Sequence, residues 1–222
     1  MYYDFWVEEI DLKLMEKLGF QASCYVSEFR DWGSYSDAKK ENDLAGVVIK
    51  AGNMKEFRTK IREFRNADFI VLDSRSEKTT EMAVKLNAVD AVTFHARYPT
   101  IKKMAEKGIA QIINFNDLLN AGDKAVENNL KLMQRSVKLA RKYGAPLMVV
   151  SGAKEKMECR AASDLIGFGE LLGLTAKQAK DALTVHQEAL IKRTKLKDEG
   201  KWVRPGVELE DDTSGSFSGG LV

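Results

Sequence analysis

The chain has 222 residues, 44% of them hydrophobic, enough to bury one large core, and its formal net charge at pH 7 is only +2. Two cysteines, Cys24 and Cys159, are too few for a disulfide framework, and the start Met1-Tyr2-Tyr3-Asp4-Phe5-Trp6 has no basic leader, so a reducing cytoplasm is the expected setting. No segment approaches the roughly 18 uncharged apolar residues of a spanning helix.

The elements predicted along the chain alternate short β-rich runs with amphipathic helices, the pattern of parallel strands joined by crossover helices. Strands are expected at Tyr2 to Val7, Gln21 to Val26 and Leu44 to Lys50. The third contains Gly46-Val47-Val48-Ile49, an apolar run typical of a strand buried on both faces. A helix follows with Met54, Phe57, Ile61 and Phe64 at spacings of three and four, capped by Asn53. Further strands are expected at Asp68 to Asp73, Val89 to Phe94 and Ile109 to Phe115. A long helix then runs through Val126, Leu130, Met133, Val137 and Ala140, stops at Gly144 and gives way to a seventh strand, Pro146 to Ser151. Beyond it the alternation lapses. Ala161 to Leu172 and Ala176 to Ile191 both read as helices, the second opened by the capping box Thr175-Ala176-Lys177-Gln178.

Seven strands predict an α/β fold, a TIM-barrel-like (β/α) barrel occupying residues 1 to 210 as one domain. Either it lacks an eighth strand, or a weak segment near Lys156 to Arg160 closes it; an open doubly wound sheet is the alternative. Residues 211 to 222, rich in Ser, Gly and Asp, have the composition of a disordered tail. Charge is unevenly spread. Residues 1 to 50 hold 6 basic and 10 acidic side chains and residues 205 to 222 hold 0 and 4, leaving 29 against 19 in residues 51 to 204. A middle of +10 points toward a polyanionic partner, although a mixed solvated surface gives the same count.

Function in a parallel barrel lies at the C-terminal ends of the strands. Those ends offer Lys50, Ser74-Arg75, His95-Ala96-Arg97, Asn114 and Asn116, and Ser151-Gly152-Ala153-Lys154. With two histidines in all, His95 and His186, this is poor equipment for metal-assisted hydrolysis. His186 shares a helical stripe with Ala179, Leu183 and Leu190 and reads as a buried structural residue. His95, beside Arg97, is open to either role. Lys50 ends an apolar strand, where Schiff-base aldolases keep their nucleophile, but that chemistry needs a desolvated amine and an acid/base partner. Dinucleotide, P-loop and nucleophile-elbow glycine patterns are absent.

Pro146-Leu147-Met148-Val149-Val150-Ser151-Gly152-Ala153, followed by Arg160 and Asp164-Leu165, resembles the ribonuclease P protein component 3 family. So do the helix from Asn128-Asn129-Leu130 to Leu139-Ala140-Arg141, the segment Asp164 to Gly173, and Arg204-Pro205-Gly206-Val207-Glu208. The likeness spans roughly residues 1 to 210 and rests on order and spacing. It departs at Ser163 and at Thr184-Val185-His186, where the family pattern carries proline.

This resemblance implies a barrel related to the polymerase-and-histidinol-phosphatase superfamily but without its metal site. It also implies a protein subunit of ribonuclease P, the ribonucleoprotein that generates tRNA 5′ ends by cleaving precursor tRNA. The implied partners are the ribonuclease P RNA, protein component 2, other protein subunits and, indirectly, precursor tRNA, with no membrane. No catalytic residue or protein-bound cofactor is expected, and Mg²⁺ belongs to the RNA. Phosphates would be held by Lys and Arg, with Lys50, Arg75, Arg97, Lys154, Arg160 and Lys180 as candidates. Arg160 and Asp164, four apart at a helix start, suit a pair that structures the loop. A metal-dependent phosphoesterase and a small-molecule barrel enzyme are the competing readings.

Overall fold

The computed structural model describes residues 1–93, 96–204 and 207–208. Seven parallel strands lie in sequence order: β1 (Tyr3–Val7), β2 (Ala22–Ser27), β3 (Ala45–Lys50), β4 (Phe69–Asp73), β5 (Ala91–Val92), β6 (Ala110–Asn114) and β7 (Leu147–Val150). Between them run α1 (Leu12–Lys17), α2 (Trp32–Glu41), α3 (Met54–Phe64), α4 (Glu77–Leu86), α5 (Tyr98–Lys107), α6 (Asn116–Leu119) and α7 (Asp123–Tyr143). After β7 come α8 (Ala162–Leu171), α9 (Ala176–Asp181), α10 (Val185–Asp198) and a hairpin of β8 (Trp202–Arg204) with β9 (Val207–Glu208).

The seven expected strands all form, each within a few residues of its sequence bounds. The capped helices form for the reasons their sequences give. Asn53 accepts hydrogen bonds from the Lys55 and Glu56 amides, and α7 ends at Gly144 with φ +72°. Thr175 and Gln178 close the capping box of α9. The expected tail at 211 to 222 lies outside the described residues.

The barrel interior is filled by apolar side chains. Phe5, Val26, Val48, Phe69, Val71, Ala91, Ala110, Ile112, Met148 and Val150 meet there. Gly46 makes room for this packing, since a Cβ at that position would come within 2.9 Å of Phe69 Cδ1. Two outer clusters, one centred on Ile49, Phe57, Leu72 and Ile101 and the other on Met133, Val149, Leu165 and Phe168, bury the sheet's outer face under the helices.

Among the described residues no eighth strand closes the sheet. Lys156–Glu158 forms a single 3-10 turn, so the weak segment proposed there is not a strand. The seam between β1 and β7 is instead filled piece by piece. At one end the Tyr3 amide donates to the Leu183 carbonyl (2.9 Å) and the Val149 amide to Ala182 (3.1 Å). In the middle the Ser151 amide donates to Asp4 Oδ1 (3.1 Å) and the Ser151 hydroxyl to the Trp6 carbonyl (3.4 Å). At the other end Val7 bridges Ala153, whose carbonyl accepts from Glu8 N (2.8 Å).

The same seam corrects the helix expected over Ala176 to Ile191. It breaks at 182–184 into α9 and α10 because the Ala182 and Leu183 carbonyls serve β7 and β1 rather than a helical ladder. α10 then crosses the N-terminal mouth of the barrel. Leu190 and Ile191 pack onto the interior cluster. Arg193 binds the Asp90 carboxylate through both terminal nitrogens and donates to the Asp68 carbonyl.

Candidate nucleic-acid interface

Because all seven strands are parallel, their C-terminal ends share one rim. Lys50 closes β3, Arg75 follows β4, Arg97 is the N-cap of α5 after β5, and Lys154 follows β7. Four of the six candidate cations are therefore gathered on one face. Arg160 sits just beyond, on the loop leading into α8, where it is half-buried. Lys180 does not join them. It is exposed on α9, whose end meets the start of β1 through Leu183, toward the opposite mouth.

The rim is not purely basic. Lys50 Nζ lies 3.0 Å from Glu28, which also holds Lys60 at 3.2 Å, and Arg97 Nε lies 3.1 Å from Glu77. Asp73 ends β4 and accepts from the Thr93 hydroxyl at 2.9 Å. Glu158 receives the Lys154 amide at 2.8 Å and the Asn116 amide group at 3.2 Å. Arg75 is exposed and has no carboxylate partner among the described residues. Reading strand ends for cations passes over these carboxylates, since Glu28 and Glu77 arrive from loops and helix starts. The pairing of Lys50 with Glu28 and of Arg97 with Glu77 has no sequence-spacing signature.

Electrostatics follow from these contacts. Burial pushes the Glu28 carboxyl up, but its hydrogen bonds from Lys50 and Lys60 outweigh that and hold it below the usual range. Reciprocally, the Glu28 hydrogen bond raises Lys50. A Schiff-base nucleophile must be an unprotonated amine, so the aldolase reading of Lys50 fails on both exposure and charge. Asp117, at the start of α6, is pushed up to about 6 by burial and by the Asp73 carboxylate, against a smaller opposing effect of Lys154.

The loop after β7 is shaped by Gly152, with φ +64°. A Cβ there would fall 1.9 Å from Asn114 Oδ1, so the backbone can approach β6 only as glycine. Asn116 donates to the Gly152 carbonyl at 2.9 Å. Arg160 does not pair with Asp164, as the i, i+4 spacing suggested. Its guanidinium donates to the Met157 and Cys159 carbonyls at 3.1 and 2.9 Å and lies 5.4 Å from the Phe115 ring centroid. Asp164 points out from the exposed side of the first turn of α8. Arg160 thus braces the loop through its backbone carbonyls, beside Asn116 and Glu158, and Asp164 takes no part.

Among the described residues no group of three His, Cys, Asp or Glu is placed to hold a metal ion. His95 lies outside the described residues. His186 is on α10 at the other mouth and is half-buried. Burial lowers its pKa, against smaller effects of Asp90, and its Nε2 has no partner among the described residues. Cys24 is buried and Cys159 half-buried, both free. Among the described residues no helix is long and apolar enough to cross a membrane.

A family model described as RNase P subunit p30 matches residues 1–199. The chain belongs to the RNase P subunit p30 family. Ribonuclease P protein component 3 of Haloarcula marismortui is 23% identical over 189 residues, covering 82% of this chain and 80% of that protein. The protein of the same name from Methanothermobacter thermautotrophicus is 26% identical over 209 residues, covering 82% and 85%. In three dimensions this member of the RNase P subunit p30 family superposes on a chain of an archaeal ribonuclease P solved with mature tRNA. The TM-score is 0.79 at 21% identity, covering 96% of this chain and all of the other. An amidohydrolase shares the barrel more distantly, with a TM-score of 0.53 at 9% identity, over 74% of this chain and 46% of that one.

Proposed function

We propose that this chain is a protein subunit of ribonuclease P, supporting a catalytic RNA in the endonucleolytic cleavage that generates tRNA 5′ ends. The observation that carries the reading is membership of the RNase P subunit p30 family over residues 1–199. In this reading its partners are the ribonuclease P RNA, protein component 2 and the other protein subunits, with precursor tRNA engaged indirectly, in the cytoplasm. The RNA carries the Mg²⁺ and the chemistry. The chain's part is to place cations against phosphates: Arg75, Lys50, Arg97 and Lys154 on the rim, with Arg160 holding the adjoining loop and Lys180 a separate contact. The metal-dependent phosphoesterase alternative needs a donor cluster that the described rim does not offer.

Two experiments test this. Tagged protein purified from its own cells and followed by RNA sequencing should bring down one abundant structured RNA together with precursor tRNA. Recovery of no RNA above background would count against the reading. The purified chain alone, offered precursor tRNA with Mg²⁺, Mn²⁺ or Zn²⁺, should cleave nothing, whereas cleavage that follows the protein through purification and disappears with His95→Ala would overturn the non-catalytic role.

A further inference from the structure

Tyr98 is the first residue of α5 and is 60% exposed. Its ring stacks on that of Tyr143 from the end of α7, with centroids 6.4 Å apart and planes 30° from parallel. Lys142 Nζ stands 5.4 Å from the Tyr143 centroid. Arg97 immediately precedes Tyr98, bound to Glu77 yet with a side chain 72% exposed. Lys102 is exposed one turn further along α5, at the i+4 position that shares a helix face with Tyr98. Neither Lys102 nor Lys142 has a carboxylate partner among the described residues.

We infer that Tyr98, backed by Tyr143, is a stacking platform for one unpaired base of an RNA, with Lys102, Lys142 and Arg97 holding the flanking phosphates. This rests on the ribonuclease P reading and specifies a contact within it. The chemistry favours nucleic acid over a protein surface. A protein docking patch is rimmed by polar groups around a contiguous apolar centre, whereas the surroundings of Tyr98 are cations. Proteins recognise single-stranded RNA by splaying bases onto aromatic faces and pairing the backbone with Lys and Arg. Tyr98 already has its ring held by Tyr143, so little rotamer freedom remains to be lost when a base lands. The platform also adjoins the rim, because α5 starts where β5 ends.

The test uses the full chain, the ribonuclease P RNA from the same genome, and precursor tRNA processing by the reconstituted enzyme. Tyr98→Phe, which keeps the aromatic face, should bind the RNA within about twofold of wild type. Tyr98→Leu and Tyr98→Ala should each bind about 5- to 100-fold more weakly, the range for losing one base stack. Their salt slopes should stay unchanged, whereas Lys142→Ala should lower the slope by about 0.7 to 0.9. Ultraviolet crosslinking of the wild-type complex should yield a nucleotide adduct on the peptide containing Tyr98. Wild-type affinity in folded Tyr98→Leu and Tyr98→Ala would overturn the platform while leaving the subunit reading intact. So would equal losses in the Phe and Leu variants, or a loss confined to binding of protein component 2. If the wild-type chain neither binds the RNA nor raises processing, the subunit reading fails and the platform falls with it.

Discussion

Asp4 sits wholly buried in the seam, one oxygen bonded to the Ser151 amide and the other without a partner among the described residues. Burial pushes its pKa up to about 6, against smaller opposing hydrogen bonds from Ser151 and Trp6. The native carboxyl therefore holds its proton at pH values where the unfolded chain has released it. The group's contribution is most favourable below pH 4, declines as pH rises through 4 to 6, and costs about 3 kcal/mol at neutral pH. Asp4→Asn keeps an acceptor for Ser151 and removes the titration. Urea unfolding at pH 4 and pH 7 should show the variant lacking that share of the wild-type slope, and parallel slopes would refute this account. On the rim, replacing Arg75, Arg97 and Lys154 together with alanine should weaken RNA binding and processing, with partial rescue by raised Mg²⁺ and native circular dichroism. Arg75, exposed without a carboxylate partner among the described residues, should account for more of the lost salt slope than Arg97, which Glu77 already screens. An unaltered slope in the folded triple variant would put the RNA on another face. The positions of these cations were legible because strand ends are legible. Their partners were not, since an ion pair such as Glu28 with Lys50 depends on how two loops fold over the rim.

α10 was half readable. Its apolar residues, Leu190 and Ile191 among them, signal a packed helix, yet nothing local marks 182–184 as a break, because the demand comes from Val149 and Tyr3, 33 and 180 residues earlier in the chain. Arg193 shows the same limit. It reads as one more solvated cation on a helix, and only the fold sets it between Asp90 and Asp68 beneath the barrel. With side chains 23% and 14% exposed, Arg193 and Asp90 are largely removed from water. Arg193→Ala would leave the Asp90 carboxylate without its cation and should cost about 3 to 5 kcal/mol in chemical denaturation. Arg193→Met combined with Asp90→Asn should recover part of that loss. A single variant as stable as wild type would mean that α10 holds the mouth through Leu190 and Ile191 alone.

At the level of the whole molecule, strand number and order followed from alternating apolar runs, whereas the manner of closure did not. A seam made of one carboxylate, two turn carbonyls and a single bridge leaves no periodic trace. The excess of positive charge in residues 51 to 204 was a correct count with little positional content. Part of it faces the RNA in the proposed reading, part braces α10, and part pairs with loop carboxylates.

The makeshift seam also bears on how the protein comes into being. Of the seven sheet strands β1 leaves the ribosome first, and among the described residues its free edge is met by the carbonyls of Ala153 and Leu183 and by the amide and hydroxyl of Ser151. At about 5 to 20 residues per second, some ten to forty seconds of synthesis separate the strand from the turn that completes it. Until then a half-built sheet carries an open, apolar edge of the sort that pairs with strangers. A nascent chain arrested before residue 182 should consequently be captured by holdase chaperones and cut readily by protease, and one arrested well after residue 198 should be protected.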